Sequence, residues 1–379
     1  MKDLWLAPDQ LFDGQRILSG QAVRIAKGRV VDVADAPETA RPIKGCLTPG
    51  FVDLQVNGGG GVMLNTTPTR TGMVDIAAAH RQFGTVGILP TIITDHADVL
   101  DQAADAAIAA KGDAGILGLH IEGPHISRAR RGTHNADHIR PMDTRTMDVV
   151  AKLARLGIAV LITVAPEATT NDQIAALTKM GSVVSLGHTD ATAEIVEAAI
   201  AAGATCATHL FNAMSPMMGR APGAVGAVIN SHLRAGIICD GYHVDDRMIG
   251  LALRARPAND LMFLVSDAMA TVGGPDAFDL YGQPVRLEDG RLLNAEGTLA
   301  GAHVTQAIGV ARLVHHIGAT LEDALRMAIT TPAKVVGQPG LGQITDRSLQ
   351  DLIILSDDLE MRGTLASAQA ALIAGDPVE

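Results

Sequence analysis

The 379-residue chain is poor in aromatic residues, with one Trp, two Tyr and six Phe. Stacking platforms for polysaccharide or single-stranded nucleic acid are therefore excluded. Basic residues are in deficit, 30 against 41 acidic ones, for a net charge of −11. No cationic face can displace counterions from nucleic acid. An anionic ligand must instead be held by a few placed cations. The most continuous apolar stretch, Gly157–Ala165, is too short to span a membrane. The opening MKDLWLAPDQ lacks the apolar core of a signal peptide. Cysteine is scarce: Cys46, Cys206 and Cys239 are odd in number, far apart and set in apolar surroundings. They read as reduced core residues of a cytoplasmic protein.

What is abundant is apolar material, 47% of the chain, and glycine, 40 residues. Between residues 50 and 270 one pattern recurs eight times: an apolar run rich in Val, Ile and Leu that stops at a polar residue. The runs are Phe51–Asn57, Gly87–Thr94, Gly115–His125, Gly157–Glu167, Ser182–Asp190, Ala204–Asn212, Ala235–His243 and Leu261–Ala268. Helical patterns lie between them at Met73–Phe83, Val99–Lys111, Thr144–Leu156, Asn171–Met180 and Ala191–Ala202. Gly84, Gly112, Gly157, Gly181 and Gly203 close these helices, as C′ residues that tolerate a left-handed backbone. Eight buried strands alternating with helices predict a (β/α)8 TIM barrel over residues 49–341, with its chemistry at the C-terminal strand ends.

The flanks differ. Ala22–Val33 alternates around Lys27–Gly28, which predicts a hairpin. Asp351–Ser356 reads as a strand, and Gly363–Leu372 as more of the same. A small β-sandwich built from residues 1–48 and 342–379 is expected. Helices at His303–His316 and Leu321–Ala328 complete the barrel.

Five strand ends carry acid–base or metal-capable groups: Glu122, His188, His209, His243 and Asp267. Singly, each is as well explained by a hydrogen-bonded rim residue or a helix cap. Together they share one rim. Two imidazoles and a carboxylate leave one coordination position open, the arrangement of a catalytic zinc site, and no cysteine is spaced to close it. A carboxylate beside such a metal can take the proton of an attacking water and pass it to a leaving group. That is metal-assisted hydrolysis of an amide or ester.

The segments Thr48–Gly61 (TPGFVDLQVNGGGG), His120–Ser127 (HIEGPHIS), Arg131–Asn135 (RGTHN), Ala165–Glu167 (APE) and Gly187–Thr192 (GHTDAT) follow one known order. Thr208–Met214 (THLFNAM), Gly219–Gly223 (GRAPG), Asp240–Val244 (DGYHV), Ser266–Met269 (SDAM) and Gly297–Ala302 (GTLAGA) continue it. Over essentially the whole chain the sequence resembles the N-acetylglucosamine-6-phosphate deacetylase family of the amidohydrolase superfamily. The resemblance implies hydrolysis of the sugar acetamide to glucosamine 6-phosphate and acetate, in amino-sugar catabolism. It implies Glu122, His188 and His209 as ligands of one divalent metal, zinc first, with iron, cobalt or manganese as options. It makes Asp267 the general acid/base and His134 a hydrogen-bond donor to the acetyl carbonyl. Thr133, Asp240, Gly241 and Tyr242 are expected to bind substrate, Asn212 and Ala213 to contact the sugar or its phosphate, and Leu299, Ala300 and Gly301 to line the acetyl or sugar side through backbone groups. His243 is expected at the phosphate. Arg220 would be donated to that phosphate across a homodimer.

Two departures stand out. Many amidohydrolases carry HxH at the end of the first strand, where this chain has Gln55-Val56-Asn57. One metal per site is therefore expected, with Gln55 and Asn57 hydrogen-bonding in the barrel mouth. Ala302–Gln306 reads AHVTQ, where relatives commonly have serine and more apolar residues, and His303 is expected to have no role. His120 is expected to pack in the barrel interior, with His125 and Glu167 supporting the rim. The rivals are a deacetylase for the galactosamine epimer, a cyclic amidase and a non-catalytic sugar-phosphate sensor. A cyclic amidase would use HxH and a bridging lysine, and no lysine ends strands three or four.

Overall fold

The structure, a computed structural model, describes residues 4–374. The eight apolar runs form eight parallel strands: β1 (Phe51–Val56), β2 (Thr85–Ile93), β3 (Gly118–Glu122), β4 (Ala159–Val164), β5 (Val183–Leu186), β6 (Cys206–Ala207), β7 (Arg234–Ile237) and β8 (Met262–Leu264). They pair in sequence order from β1 to β8. A parallel bridge between Val56 and Ala268, and the Asn57 N–H donating to the Ala268 carbonyl at 2.9 Å, bring the two ends together. The strands bury both faces, which is why their sequences read as continuous apolar runs rather than alternating ones. β6 is shorter than its apolar run suggests, because the chain turns sharply at His209.

The five helices appear at Arg70–Arg81, Ala97–Ala109, Thr144–Arg155, Asn171–Lys179 and Ala193–Ala201. All five closing glycines have positive φ, from 65° at Gly157 to 119° at Gly203. Gly157, Gly181 and Gly203 follow directly on the C-cap, whereas Gly84 and Gly112 lie one residue further on. Three of the other ends are capped by side chains, Thr69 onto the Gly72 N–H, Asp143 onto the Thr146 N–H and Thr170 in a reciprocal box with Gln173, each stabilising by about 1 kcal/mol.

Inside the barrel, Leu54, Leu89, Leu161, Cys206 and Phe263 pack together. Beside them lies a buried polar layer. His120 bonds the Leu54 carbonyl at 2.9 Å and Thr163 at 2.8 Å. Thr208 then bonds Thr163 at 2.7 Å and Ser185 at 2.6 Å. Cys46, Cys206 and Cys239 are all buried and unpaired, and burial pushes their thiols up to about 12, 11 and 12.

Both chain ends meet in one seven-stranded mixed sheet, in which Arg41–Pro49 lies between Leu4–Phe12 and Leu352–Leu355. Its core holds Leu6, Leu11, Val23, Ile43, Leu47 and Leu352. The predicted hairpin is present, with Lys27 (φ 52°) and Gly28 (φ 73°) making the turn. The reading of strand over Gly363–Leu372 is corrected: strand stops at Thr364 and Leu365–Ala374 is helix. Leu365 and Ala368, one turn apart, supply the buried face.

One element is new. Ala277–Leu280, Gln283–Glu288 and Arg291–Leu293 form a three-stranded antiparallel sheet inserted after β8. Its turns are Tyr281–Gly282 and Asp289–Gly290, all four residues at positive φ. The Asp-Gly pair between two alternating segments was the sequence signal for it.

Candidate active site

Three of the five strand-end groups sit on left-handed backbone: His188 (φ 47°), His209 (φ 26°) and Asp267 (φ 52°). For residues with a Cβ each such position costs on the order of 1 kcal/mol or more. Neighbouring strands hold them there. The Leu210 N–H donates to the Gly236 carbonyl at 2.7 Å, and the Ala302 N–H to the Asp267 carbonyl at 3.2 Å. The effect is to turn the side chains from the strand ends into one mouth.

There, Glu122 Oε1 lies 3.1 Å from His209 Nε2 and 3.5 Å from His188 Nε2, and the two Nε2 atoms are 3.1 Å apart. All three residues are at least 95% buried. Burial opposes charge on Glu122, yet the two imidazoles hold its carboxyl well below the usual carboxylate range. Three such atoms in mutual contact call for a positive charge among them. Ligands at 2.0–2.2 Å around a tetrahedral ion are spaced by about 3.4 Å, close to the spacing here. The donor set of two imidazoles and one carboxylate therefore fits a divalent metal. His188 is oriented for this: its Nδ1–H donates to the Arg130 carbonyl at 2.8 Å, leaving the Nε2 lone pair to face the mouth. His209 Nδ1 is buried without a partner.

Gln55 and Asn57 hydrogen-bond in the mouth as expected. The Gln55 amide donates both to Glu122 at 2.8 Å and to Asp267 at 3.1 Å, and Asn57 donates to Asp267 at 2.7 Å. An amide thus stands where an HxH chain would carry imidazoles. Burial, and then the charge of Glu122, push Asp267 up to about 6.

His134 has its Nε2 3.8 Å from Glu122 and its Nδ1 2.7 Å from the Thr94 hydroxyl. The Thr94 N–H also donates to Nδ1, at 3.4 Å, which favours the tautomer with hydrogen on Nε2, facing the mouth. Burial pushes His134 down to about 3, so the ring is neutral. The mouth encloses a cavity of about 180 Å³ reached by Thr133, Asn212, Ala213, His243, Leu299 and Gly301 as well. His243 is fixed by an Nδ1–H bond of 2.6 Å to Asp240, which also accepts the N–H groups of Tyr242 and His243.

Gly241, Tyr242 and Ala300 lie outside this cavity, as does Arg220, whose expected role is in a neighbouring subunit. Arg220 is exposed on the turn closed by Met218 and Ala221. Tyr242 donates to the Asp289 carbonyl of the inserted sheet at 2.8 Å, and Gly241 backs onto the Arg312 guanidinium. Ala300 is buried in the core of the inserted sheet. Among the described residues no lysine or arginine lines the cavity.

His125 bonds Arg140 and Thr146, and Glu167 accepts from Thr189 and Asp190, ordering the turn after His188. His303 bonds Thr271 and lines a separate cavity of about 480 Å³ that shares no residue with the mouth. His96 and His138 are closer to the rim than their sequence setting suggests, since they cluster with Asp95. Their rings lie tilted by 51° with centroids 4.0 Å apart, outside the mouth. Sequence reasoning missed Thr94, which bonds His134, and Tyr281, which bonds Thr94, since both contacts exist only in the fold.

The amidohydrolase family profile matches residues 46–376. The chain belongs to the amidohydrolase family. A relative from Shewanella sp. (strain ANA-3), named N-acetylgalactosamine-6-phosphate deacetylase, is 41% identical over 86% of this chain and 82% of its own length. One from Haemophilus influenzae, named N-acetylglucosamine-6-phosphate deacetylase, is 32% identical over 85% and 86%. Among solved structures, N-acetylglucosamine-6-phosphate deacetylase from Pasteurella multocida superposes with a TM-score of 0.87 at 33% identity, over 95% of this chain and 98% of that one. The family uses metal ions, and the Glu122–His188–His209 mouth is this chain's candidate site for one. No helix among the described residues is long and apolar enough to cross a membrane.

Proposed function

We propose that this amidohydrolase removes the acetyl group of N-acetylglucosamine 6-phosphate, giving glucosamine 6-phosphate and acetate. The observation that carries the reading is the Gln55 amide, which joins the Glu122 carboxylate to Asp267 and so sets a proton acceptor beside the candidate metal ligands. Glu122, His188 and His209 would hold one divalent ion, zinc being the best match to the donor set. When bound, it supplies Lewis-acid polarisation of the acetyl carbonyl and acidifies water beside it. Asp267, ionised, takes the proton of the attacking water and delivers it to the amine nitrogen as the C–N bond breaks. His134 donates its Nε2–H to the carbonyl oxygen as negative charge develops there. Thr133, Asn212, Ala213, Leu299 and Gly301 enclose the sugar, and His243 meets the phosphate.

The cavity's lack of lysine or arginine supports a second chain as the source of the phosphate clasp, with Arg220 reaching from a homodimer partner. Mixing Arg220→Ala and Asp267→Asn subunits should then restore part of the activity each lacks alone. Three buried, unpaired thiols suit the reducing cytoplasm.

The galactosamine epimer is a second reading, favoured by the 41% identity to the Shewanella relative. Acetate release measured side by side on the two 6-phosphates decides: a higher kcat/KM for the gluco sugar supports the first reading, and the reverse order replaces it.

A further inference from the structure

Tyr281 is one of only two tyrosines in the chain, and it lies outside the barrel. It occupies the left-handed first position (φ 53°) of the hairpin turn between Ala277–Leu280 and Gln283–Glu288. The ring packs with the cluster that contains Ile93 and Met269, two residues that also wall the active-site cavity. Its hydroxyl donates to the Thr94 carbonyl at 2.6 Å. The backbone of Asn135, the residue after His134, lies beside the same phenolic oxygen. Thr94 and Asn135 belong to the two segments that meet at His134, the first through Thr94 Oγ1 on His134 Nδ1, the second by direct bonding in the chain. One phenol therefore fastens the end of β2 that orients the His134 ring. Burial pushes the phenol up, so it remains a donor at any working pH.

We propose that Tyr281 is a positioning residue for the hydrolytic reaction, acting through Thr94 to aim His134 Nε2–H at the acetyl carbonyl. The inserted sheet, on this account, delivers a structural part of the active site rather than merely covering it. The proposal rests on the reading of His134 as the carbonyl donor. A donor displaced by even 1 Å loses much of its stabilisation of the developing oxyanion.

The test is Tyr281→Phe, which keeps the ring and removes the hydroxyl, made in both the parent and a His134→Gln background. In the parent, kcat should fall about tenfold with KM, metal content and melting temperature nearly unchanged. In the His134→Gln background the same substitution should have almost no further effect on kcat, since coupled residues are not additive. A tenfold loss that persists without His134, a change in KM alone, or a drop in melting temperature with kcat intact would overturn the proposal. Failure of the underlying reading looks different: His134→Gln alone would then keep near-parental kcat.

Discussion

His120 and His188 are both buried histidines in one barrel, two strands apart, and their surroundings differ in one respect. His120 gives both ring nitrogens to protein partners, the Leu54 carbonyl and the Thr163 hydroxyl, in a layer where Thr163, Thr208 and Ser185 satisfy one another. His188 gives one nitrogen to a carbonyl and brings the other within 3.1 Å of a second imidazole nitrogen and 3.5 Å of a carboxylate. A buried polar group normally finds a partner, because leaving it unpaired costs about 1–3 kcal/mol. Where the chain crowds acceptors together instead, the missing partner is a ligand. The lower layer is architecture and the upper one is chemistry, although their residue types are the same.

The difference can be broken at the top. Asp267→Asn keeps the hydrogen-bonding shape but removes the proton acceptor. Turnover should fall by roughly three kcal/mol or more in barrier, about a hundredfold or beyond, with metal content retained. Metal analysis and acetate release on the same sample check it.

A buried histidine outside the mouth sharpens the contrast through pH. His80 bonds the Gly58 carbonyl, and burial pushes it down to about 4 from an ordinary 6.5. The folded chain therefore holds it neutral while the unfolded chain protonates it. Its contribution is fully present above pH 6.5 and is lost as pH falls toward 4, by about 3 kcal/mol in all. In His80→Gln the fall in unfolding free energy over that window should be shallower by about this amount, read by urea titration at several pH values.

The smallest effect belongs to the lower layer. Thr208→Val removes the hydroxyl that joins Thr163 to Ser185, and should destabilise the fold by about 1–3 kcal/mol. Metal content should be unchanged and kcat within a few-fold of the parent, as thermal denaturation and acetate assays would report.

The barrel was legible because eight apolar runs each ended in a polar residue, and because helices closed on glycines at positive φ. The five strand-end groups Glu122, His188, His209, His243 and Asp267 were legible for the same reason, since strand ends in this fold converge. The choice of three of them as candidate ligands came from the motif resemblance. Gln55 and Asn57 were placed in the mouth, but the double bond of one amide to Glu122 and Asp267 depends on atoms 67 and 212 residues away. Tyr281 escaped because its contact with Thr94 spans 187 residues and comes from an inserted sheet. Motif order placed Tyr242 and Ala300 at the substrate. The fold instead spends one on the inserted sheet and buries the other within it. A motif fixes where a segment goes, and packing decides which of its side chains face the cavity.

The most direct test is a metal titration of chelator-stripped protein with acetate release followed at each addition. Activity should return in proportion to bound metal and saturate at one ion per chain, and Glu122→Ala, His188→Ala and His209→Ala should neither bind that ion tightly nor recover. Full turnover without metal, or stoichiometric metal binding and turnover in any of those three variants, would contradict the account.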